Sequence, residues 1–177
     1  NSNYGITGIA ENAKIMIIKA VDDEGKTTGA HLADAIDCAI NHNATIINIS
    51  LGGYKSFDNV IAKIKTAVSK NITVVAAAGD YGNKDLLFPA NIDNVISVEG
   101  KTKENKIWEN SNTSDSCVFA FPATEINVLS ISTDNSMKKN TVSGTSESSA
   151  LASGYIAIIK DYASSKSIPL TNQQIIE

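Results

Sequence analysis

The sequence predicts an α/β domain in which helices flank a mainly parallel central sheet. Short apolar, β-branched runs, which are typical of strands buried on both faces, alternate with segments whose apolar residues recur at helical spacing. The connections between them are short, and successive strand–helix–strand units of this kind build parallel sheets. The 177 residues suit one sizeable core, and no internal repeat or linker divides them. We therefore predict a single domain over residues 1–177.

The predicted elements follow one another along the chain. Buried strands are expected at Ala13–Val21, Ala44–Leu51, Ile72–Ala78 and Val95–Glu99, with helices at His31–Ile40 and Phe57–Lys70. Residues 100–143 are polar, with short strands expected at Val118–Phe121 and Ile126–Ser132. A long helix should run from about Ser146 to Ser164. Thr171 and Gln174 then form a capping box, which predicts a last short helix.

Composition excludes several classes of protein. With 42% hydrophobic and 19% charged residues, the chain is neither disordered, collagen-like nor a coiled coil, and it has no run near the length of a transmembrane helix. A net charge of −4 and the absence of arginine argue against nucleic acid as a partner. Cys38 and Cys117 allow at most one disulfide and leave the redox compartment open. Because the chain starts with Asn1 and shows no leader, we expect an excised or processed piece.

Two segments suggest chemistry at the carboxyl ends of the strands, where open parallel sheets place their ligands. The run GKTTG at 25–29 lacks the earlier glycine of a phosphate loop, since Ala20 stands in its place, so we predict a plain turn. This leaves an unrelated nucleotide-binding domain as the weakest alternative. The run SGTS at 143–146 opens the longest helix, so a serine there is either an N-cap or a nucleophile beside helix amides that stabilise an oxyanion.

An ordered set of motifs resembles the subtilisin family of serine peptidases. The motifs are GITGIAENAKIMIIKAVDDEG at 5–25, SLGG at 50–53, VVAAAGD at 74–80, FPA at 88–90 and 121–123, and SGTS at 143–146. The match runs nearly end to end but covers only the later two-thirds of such a catalytic domain. The resemblance implies a three-layer subtilisin-like domain with its N-terminal part missing, and a peptide or protein as substrate.

By position, the resemblance implies that Ser146 is the nucleophile. It also implies that the substrate lies between two backbone edges and against pocket walls, formed by Gly25, Ser50, Leu51, Gly52, Gly53, Ala78, Gly79 and Thr145. The glycines and alanines of these walls predict a roomy, apolar first pocket for the substrate side chain.

Several positions depart from the family pattern. The triad Asp and His would precede Asn1, and we interpret His31 and His42 as surface residues, so the chain alone should be inactive. Asp80 stands where the family usually has an Asn that donates to the oxyanion, although one proprotein-processing branch also has Asp; an ionised carboxylate only accepts hydrogen bonds. After the nucleophile, Glu147-Ser148-Ser149-Ala150-Leu151 replaces Met-Ala-x-Pro-His.

These departures leave two readings open: part of an active serine endopeptidase, or a degenerate pseudoprotease that serves as a peptide-binding or regulatory scaffold. We expect no cofactor and no metal site here, because Asn1–Tyr4 offers no carboxylate and the other ligands of a family calcium would lie upstream. A missing N-terminal part would expose a sheet edge, which predicts a companion N-terminal fragment or self-association. The resemblance also implies secretion or cell-surface display.

Overall fold

The fold is built around a four-stranded parallel sheet. A computed structural model of the chain describes residues 5–132 and 134–177. The strands β1 (Ile46–Ile49), β2 (Thr73–Ala77), β3 (Ile96–Lys101) and β4 (Phe119–Pro122) lie side by side in that order. A second, antiparallel sheet pairs β5 (Ile126–Ile131) with β6 (Met137–Val142). The helices are α1 (Gly29–Asn41), α2 (Asp58–Ser69), α3 (Thr145–Ser165) and α4 (Asn172–Ile176).

Helices cover both faces of the parallel sheet. All five residues of β2 are buried, and successive side chains of a strand point to opposite faces. Val74 and Ala76 belong to the core cluster of α1 and α2, whereas Val75 packs in the cluster that contains Ile156 of α3 and Ile175 of α4. The predicted α/β fold, with a mainly parallel sheet between helical layers, is confirmed.

Small residues bring the start of α3 close to the sheet. A Cβ on Gly100 of β3 would lie 2.5 Å from the Cβ of Ala123 and 3.5 Å from Cγ2 of Thr145, the first residue of α3. The Gly144 amide also donates to the Ala123 carbonyl oxygen at 2.9 Å, and Ser148 is fully buried in the first turns of the helix. The N-terminus of α3 is thereby fixed at the carboxyl ends of the strands.

Most predicted elements appear with bounds shifted by a few residues. The last helix begins with the predicted capping box: the Thr171 hydroxyl accepts from the Gln174 amide, and the Gln174 side chain accepts from the Thr171 amide. The β6 strand was not predicted, because its sequence MKKNTV has no apolar alternation. It forms by pairing with β5, in a register that places Ile126 opposite Val142.

The predicted buried strand at Ala13–Val21 is wrong. This segment forms no strand, and the exposed fractions of Ile15 and Ile17 are 79% and 90%. The apolar pattern of the segment is that of a strand, but none of the described strands pairs with the segment. β1 is an end strand of the parallel sheet, and its paired neighbour is β2. A strand needs a hydrogen-bonded partner, and the pattern alone cannot supply one.

The two cysteine thiols are free, and burial raises the pKa of the Cys117 thiol to about 11. Among the described helices, none combines the length and the apolar character needed to cross a bilayer. Asn1–Tyr4, which the sequence analysis considers for calcium, lie outside the described residues.

Candidate active site

Three chain segments meet where β1 and β2 end and α3 begins. The Ser146 hydroxyl donates to the backbone carbonyl oxygen of Ser50 at 3.2 Å. The Gly79 amide donates to the Thr145 hydroxyl at 3.1 Å. Gly79 has φ +116°, a backbone conformation that glycine adopts without strain and that turns the chain just beyond β2. The structure thus brings together four residues that the sequence assigned to one site.

Ser146 is the second residue of a 21-residue helix. Backbone N–H groups in the first turn have no acceptor within the helix, and the helix dipole gives this end partial positive charge. The Ser146 side chain is half-buried and belongs to this first turn of the helix. This arrangement can stabilise negative charge that develops next to the hydroxyl.

The Ser50 side chain holds the first turn of α3 in place. Its hydroxyl donates to the Ser146 carbonyl oxygen at 3.0 Å and lies 3.0 Å from the Ser149 hydroxyl, which itself bonds the same carbonyl at 2.9 Å. Asn48 donates to Ser50 at 2.9 Å, and Ser153 donates to Asn48 at 3.2 Å. None of the motifs in the sequence indicated this network. Its trace in the sequence is a spacing of residues. Asn48 and Ser50 are two residues apart at the end of β1, and Ser146, Ser149 and Ser153 recur at helical spacing on one face of α3.

Replacing Ser50 with Ala should lower kcat of the full-length protein about fivefold while KM and the melting temperature change little. The substitution removes a hydrogen bond that orients the Ser146 turn and contributes about 1 kcal/mol, which corresponds to about a fivefold change in rate. Ser153→Ala is the matched control, since its hydroxyl bonds Asn48 and the Ser149 carbonyl and does not reach Ser146. A fall in kcat that is equal in both variants would contradict this positioning role.

The Asp80 carboxylate acts as an acceptor at the start of α3. Oδ1 of Asp80 accepts from the Thr145 amide at 2.8 Å and from the Thr145 hydroxyl at 2.7 Å. The residue that precedes the helix, Gly144, has no side chain to cap it, so Asp80 satisfies one of the free amides from another loop. In this position the carboxylate accepts hydrogen bonds and does not donate one.

A second carboxylate lies on the same side of the helix start. A Cβ on Gly144 would lie 2.7 Å from Oε2 of Glu147 and 3.1 Å from Oδ2 of Asp80, so both side chains face this glycine. Negative side chains stabilise a helix N-terminus, but the same charges repel an oxyanion that forms beside Ser146.

Backbone hydrogen bonds join the two predicted pocket walls. Gly53 and Phe88 exchange two bonds, each of 3.0 Å, while the Leu87 amide donates to the Ala78 carbonyl oxygen at 2.9 Å. The segment that contains Leu87 and Phe88 therefore connects the wall after β1, where Leu51 and Gly53 lie, to the wall after β2. Sequence reasoning did not assign this segment to the site.

The remaining predicted residues form no hydrogen bond with Ser146 among the described residues. Gly25, with φ +76°, is part of an exposed turn in which its amide donates to Asp22, as predicted for a plain turn. His31 and His42 are exposed at the two ends of α1, and Nδ1 of His42 lies 2.8 Å from the Cys38 carbonyl oxygen. Within residues 5–132 and 134–177, no hydrogen bond joins a histidine ring to Ser146. The same residues contain no cluster of three or more His, Cys, Asp or Glu side chains able to hold a metal.

Comparison with known proteins defines the class. The profile of the subtilase family of peptidases matches residues 1–177, so the chain belongs to the subtilase family, a family of subtilisin-like serine proteases. The minor extracellular protease Epr of Bacillus subtilis (strain 168) is 32% identical over 161 residues, which are 90% of this chain and 24% of that protein. The major intracellular serine protease of the same organism is 31% identical over 168 residues, 92% of this chain and 51% of that protein.

Solved structures agree on the fold. The patellamide maturation protease PatA superposes with a TM-score of 0.87 at 24% identity, over 99% of this chain and 66% of that one. A cold-adapted subtilisin-like serine proteinase gives a TM-score of 0.81 at 20% identity, over 96% of this chain and 60% of that one. The subtilisin-like fold is therefore confirmed. The chain spans between about a quarter and a half of the length of the two Bacillus relatives.

Proposed function

We propose that this chain is the serine-bearing part of a single subtilisin-like endopeptidase domain, which hydrolyses peptide bonds through Ser146. The observation that carries the proposal is the position of Ser146: its hydroxyl lies in the first turn of α3 and touches the end of β1 at the Ser50 carbonyl. A nucleophile here meets both helix amides and a backbone edge that can hold a peptide. The family membership supports the same reaction class.

The reaction is acyl transfer. The Ser146 oxygen attacks the carbonyl carbon of the scissile peptide bond, a histidine accepts the hydroxyl proton, and the negative charge that forms on the carbonyl oxygen faces the Ser146 amide. The same histidine then gives its proton to the leaving amine, and water hydrolyses the acyl-enzyme in a second, mirrored step. We propose that a preceding segment supplies this histidine and the aspartate that orients it, and that the chain alone is inactive.

The loop after β1 offers a backbone edge to an extended peptide. Gly52 is exposed, and its N–H and C=O form no hydrogen bond with any other described residue. These groups can pair with substrate backbone as in the addition of a strand to a sheet edge. Gly25 would lie on the opposite side of the peptide only if the turn that contains it approaches this edge in the complete domain.

A scaffold without catalysis is the second candidate function. The Asp80 and Glu147 carboxylates at the start of α3 favour it, because they place negative charge where a peptidase stabilises an oxyanion. The bound ligand would again be a peptide, held by the same backbone edge, with Ser146 acting only as part of the helix start. No nucleic acid or cofactor is part of either proposal.

Labelling with a fluorophosphonate separates the two functions. We expect the full-length protein to be labelled, because a fluorophosphonate reacts with a serine that a neighbouring base activates. The isolated chain of residues 1–177 should remain unlabelled, since its histidines do not reach Ser146. No labelling of a folded full-length protein would contradict the endopeptidase and favour the scaffold.

We propose that the isolated chain associates with itself or with a companion N-terminal fragment. β1 is an end strand of the sheet, and the segment 13–21, which forms no strand, exposes Ile15 and Ile17. Such edges and apolar side chains promote pairing with another chain. Sedimentation of the isolated chain should therefore give dimers or larger species that the preceding segment, added in trans, converts to a one-to-one complex. A stable monomer that does not bind the preceding segment would contradict the proposal.

Secretion or display at the cell surface is our proposal for the location. The extracellular relative from Bacillus supports it, whereas the intracellular relative shows that the family also acts inside cells. Detection of the full-length protein in culture medium or on intact cells, with a cytoplasmic marker as control, tests this directly.

A further inference from the structure

We infer that Leu87 fills the first specificity pocket, so that the peptide must carry a small side chain, such as Ala, Ser or Gly, at the residue that provides the scissile carbonyl. This inference rests on the proposed function, because it takes the walls after β1 and β2 as the pocket. It differs from the roomy pocket that the glycines and alanines of those walls predict.

Leu87 lies against the glycine of the first wall. A Cβ added to Gly52 would lie 3.1 Å from Cβ of Leu87 and 3.3 Å from its Cδ1. A glycine in a pocket wall normally leaves room for a ligand side chain. Here the isobutyl group of Leu87 already takes the space beside Gly52.

The same side chain also lies against the second wall. A Cβ on Gly79 would meet Cγ of Leu87 at 2.7 Å and Cδ1 at 2.8 Å. One methyl group, Cδ1, therefore contacts both glycine positions, and Leu87 is only 5% exposed. A large substrate side chain that entered between Gly52 and Gly79 would overlap this leucine.

Backbone hydrogen bonds on both sides hold Leu87 in this place. Its own amide donates to Ala78, and the next residue, Phe88, exchanges two bonds with Gly53. Moving Leu87 out of the pocket by a backbone shift would break these bonds. The core beneath them is closely packed, since Phe88 and Ala78 are themselves buried. The leucine is thus a fixed part of the pocket rather than a mobile lid.

The preference should be large, because a pocket discriminates a single misfitting methylene by about 10- to 200-fold. Phenylalanine exceeds alanine by a whole ring, so we expect at least about a hundredfold weaker binding for a peptide with Phe at the scissile residue. The affinity of a peptide with Leu at the scissile residue should lie between those of the Ala and Phe peptides.

Equilibrium binding tests the inference without relying on catalysis. The full-length protein with Ser146→Ala is titrated, by fluorescence anisotropy, into labelled peptides that differ only in Ala, Leu or Phe at the scissile residue. We expect the Ala peptide to bind tightest. Adding Leu87→Gly should admit the Phe peptide and raise its affinity at least tenfold, whereas Leu86→Ala, which removes a neighbouring buried leucine, should keep the original order.

Equal affinity for the Ala and Phe peptides, binding of none of them, or an unchanged order in a folded Leu87→Gly variant would overturn the inference. If Leu87→Gly does not fold, the order of the three peptides on the parent protein decides the question, and Leu87→Ala gives the intermediate pocket. Fluorophosphonate labelling is independent of this order. A protein that is not labelled but prefers the Ala peptide would refute the endopeptidase and retain only the part of the inference in which Leu87 restricts the size of the bound side chain.

Discussion

Replacing Asp80 with Asn in the full-length protein is expected to raise kcat by on the order of 10²-fold, the lower end of the effect of one oxyanion donor. In the structure, the Asp80 carboxylate accepts two hydrogen bonds from Thr145 and donates none to a described residue. An Asn can keep its oxygen on the Thr145 amide and turn its NH2 group toward the oxyanion. The substitution also removes one of two carboxylates beside Gly144.

Asp80→Ala is the control for this prediction. It removes the charge as Asn does, but it offers neither a donor nor a cap, so kcat should gain far less and the free energy of unfolding should fall by about 1 kcal/mol. Steady-state kinetics on one peptide, with thermal unfolding of each variant, provides both readouts. A value of kcat for Asp80→Asn that equals or falls below that of the parent would show that Asp80 does not face the oxyanion.

Ile156→Ala is expected to lower the free energy of unfolding by about 3 to 4 kcal/mol, in the middle of the range for a buried Ile. Ile156 is fully buried in the middle of α3, in the cluster that also contains Val75, Ile96 and Val98. Removing three carbon atoms there leaves a cavity between the helix and the sheet. Because α3 also carries Ser146, loss of this packing should weaken the site together with the fold.

The matched control for this variant lies two residues further along the same helix. Ile158 is 45% exposed, so Ile158→Ala makes the same chemical change with little loss of packing and should cost less than about 1 kcal/mol. Urea unfolding of both variants measures the difference in their free energies of unfolding, provided that the slope m against urea concentration is the same for both. Similar losses in the two variants would contradict the assignment of Ile156 to the core.

The apolar patterns in the sequence correctly predicted the strands and helices that find a packing or pairing partner in the fold. The runs around β1, β2 and β3 and the periodic segments of α1 and α2 appear where the sequence indicates them. The run Ala13–Val21 has the same apolar pattern, yet it forms no strand, because pairing is a tertiary property. The polar strand β6 shows the converse, since β5 provides its hydrogen bonds while its own residues carry no signal.

The site was predicted to a similar extent. The resemblance to the subtilisin family assigns Ser50, Gly79, Thr145 and Ser146 to one site, and the rule that strand ends meet at one edge of a parallel sheet directs attention to the same loops. They cannot show that Asp80 turns its carboxylate to Thr145, since that depends on side-chain orientation. Nor do they reveal the position of Leu87, whose segment bonds to Gly53 and Ala78 of the two predicted pocket walls.

The most direct test of the account is the fate of a fluorophosphonate probe on the full-length protein beside its Ser146→Ala variant. The account predicts one adduct, located on Ser146 by peptide mass spectrometry, and none on the variant, with both proteins shown to be folded by circular dichroism. Labelling that persists in Ser146→Ala, or a folded parent protein that is never labelled, would contradict the assignment of Ser146 as the nucleophile.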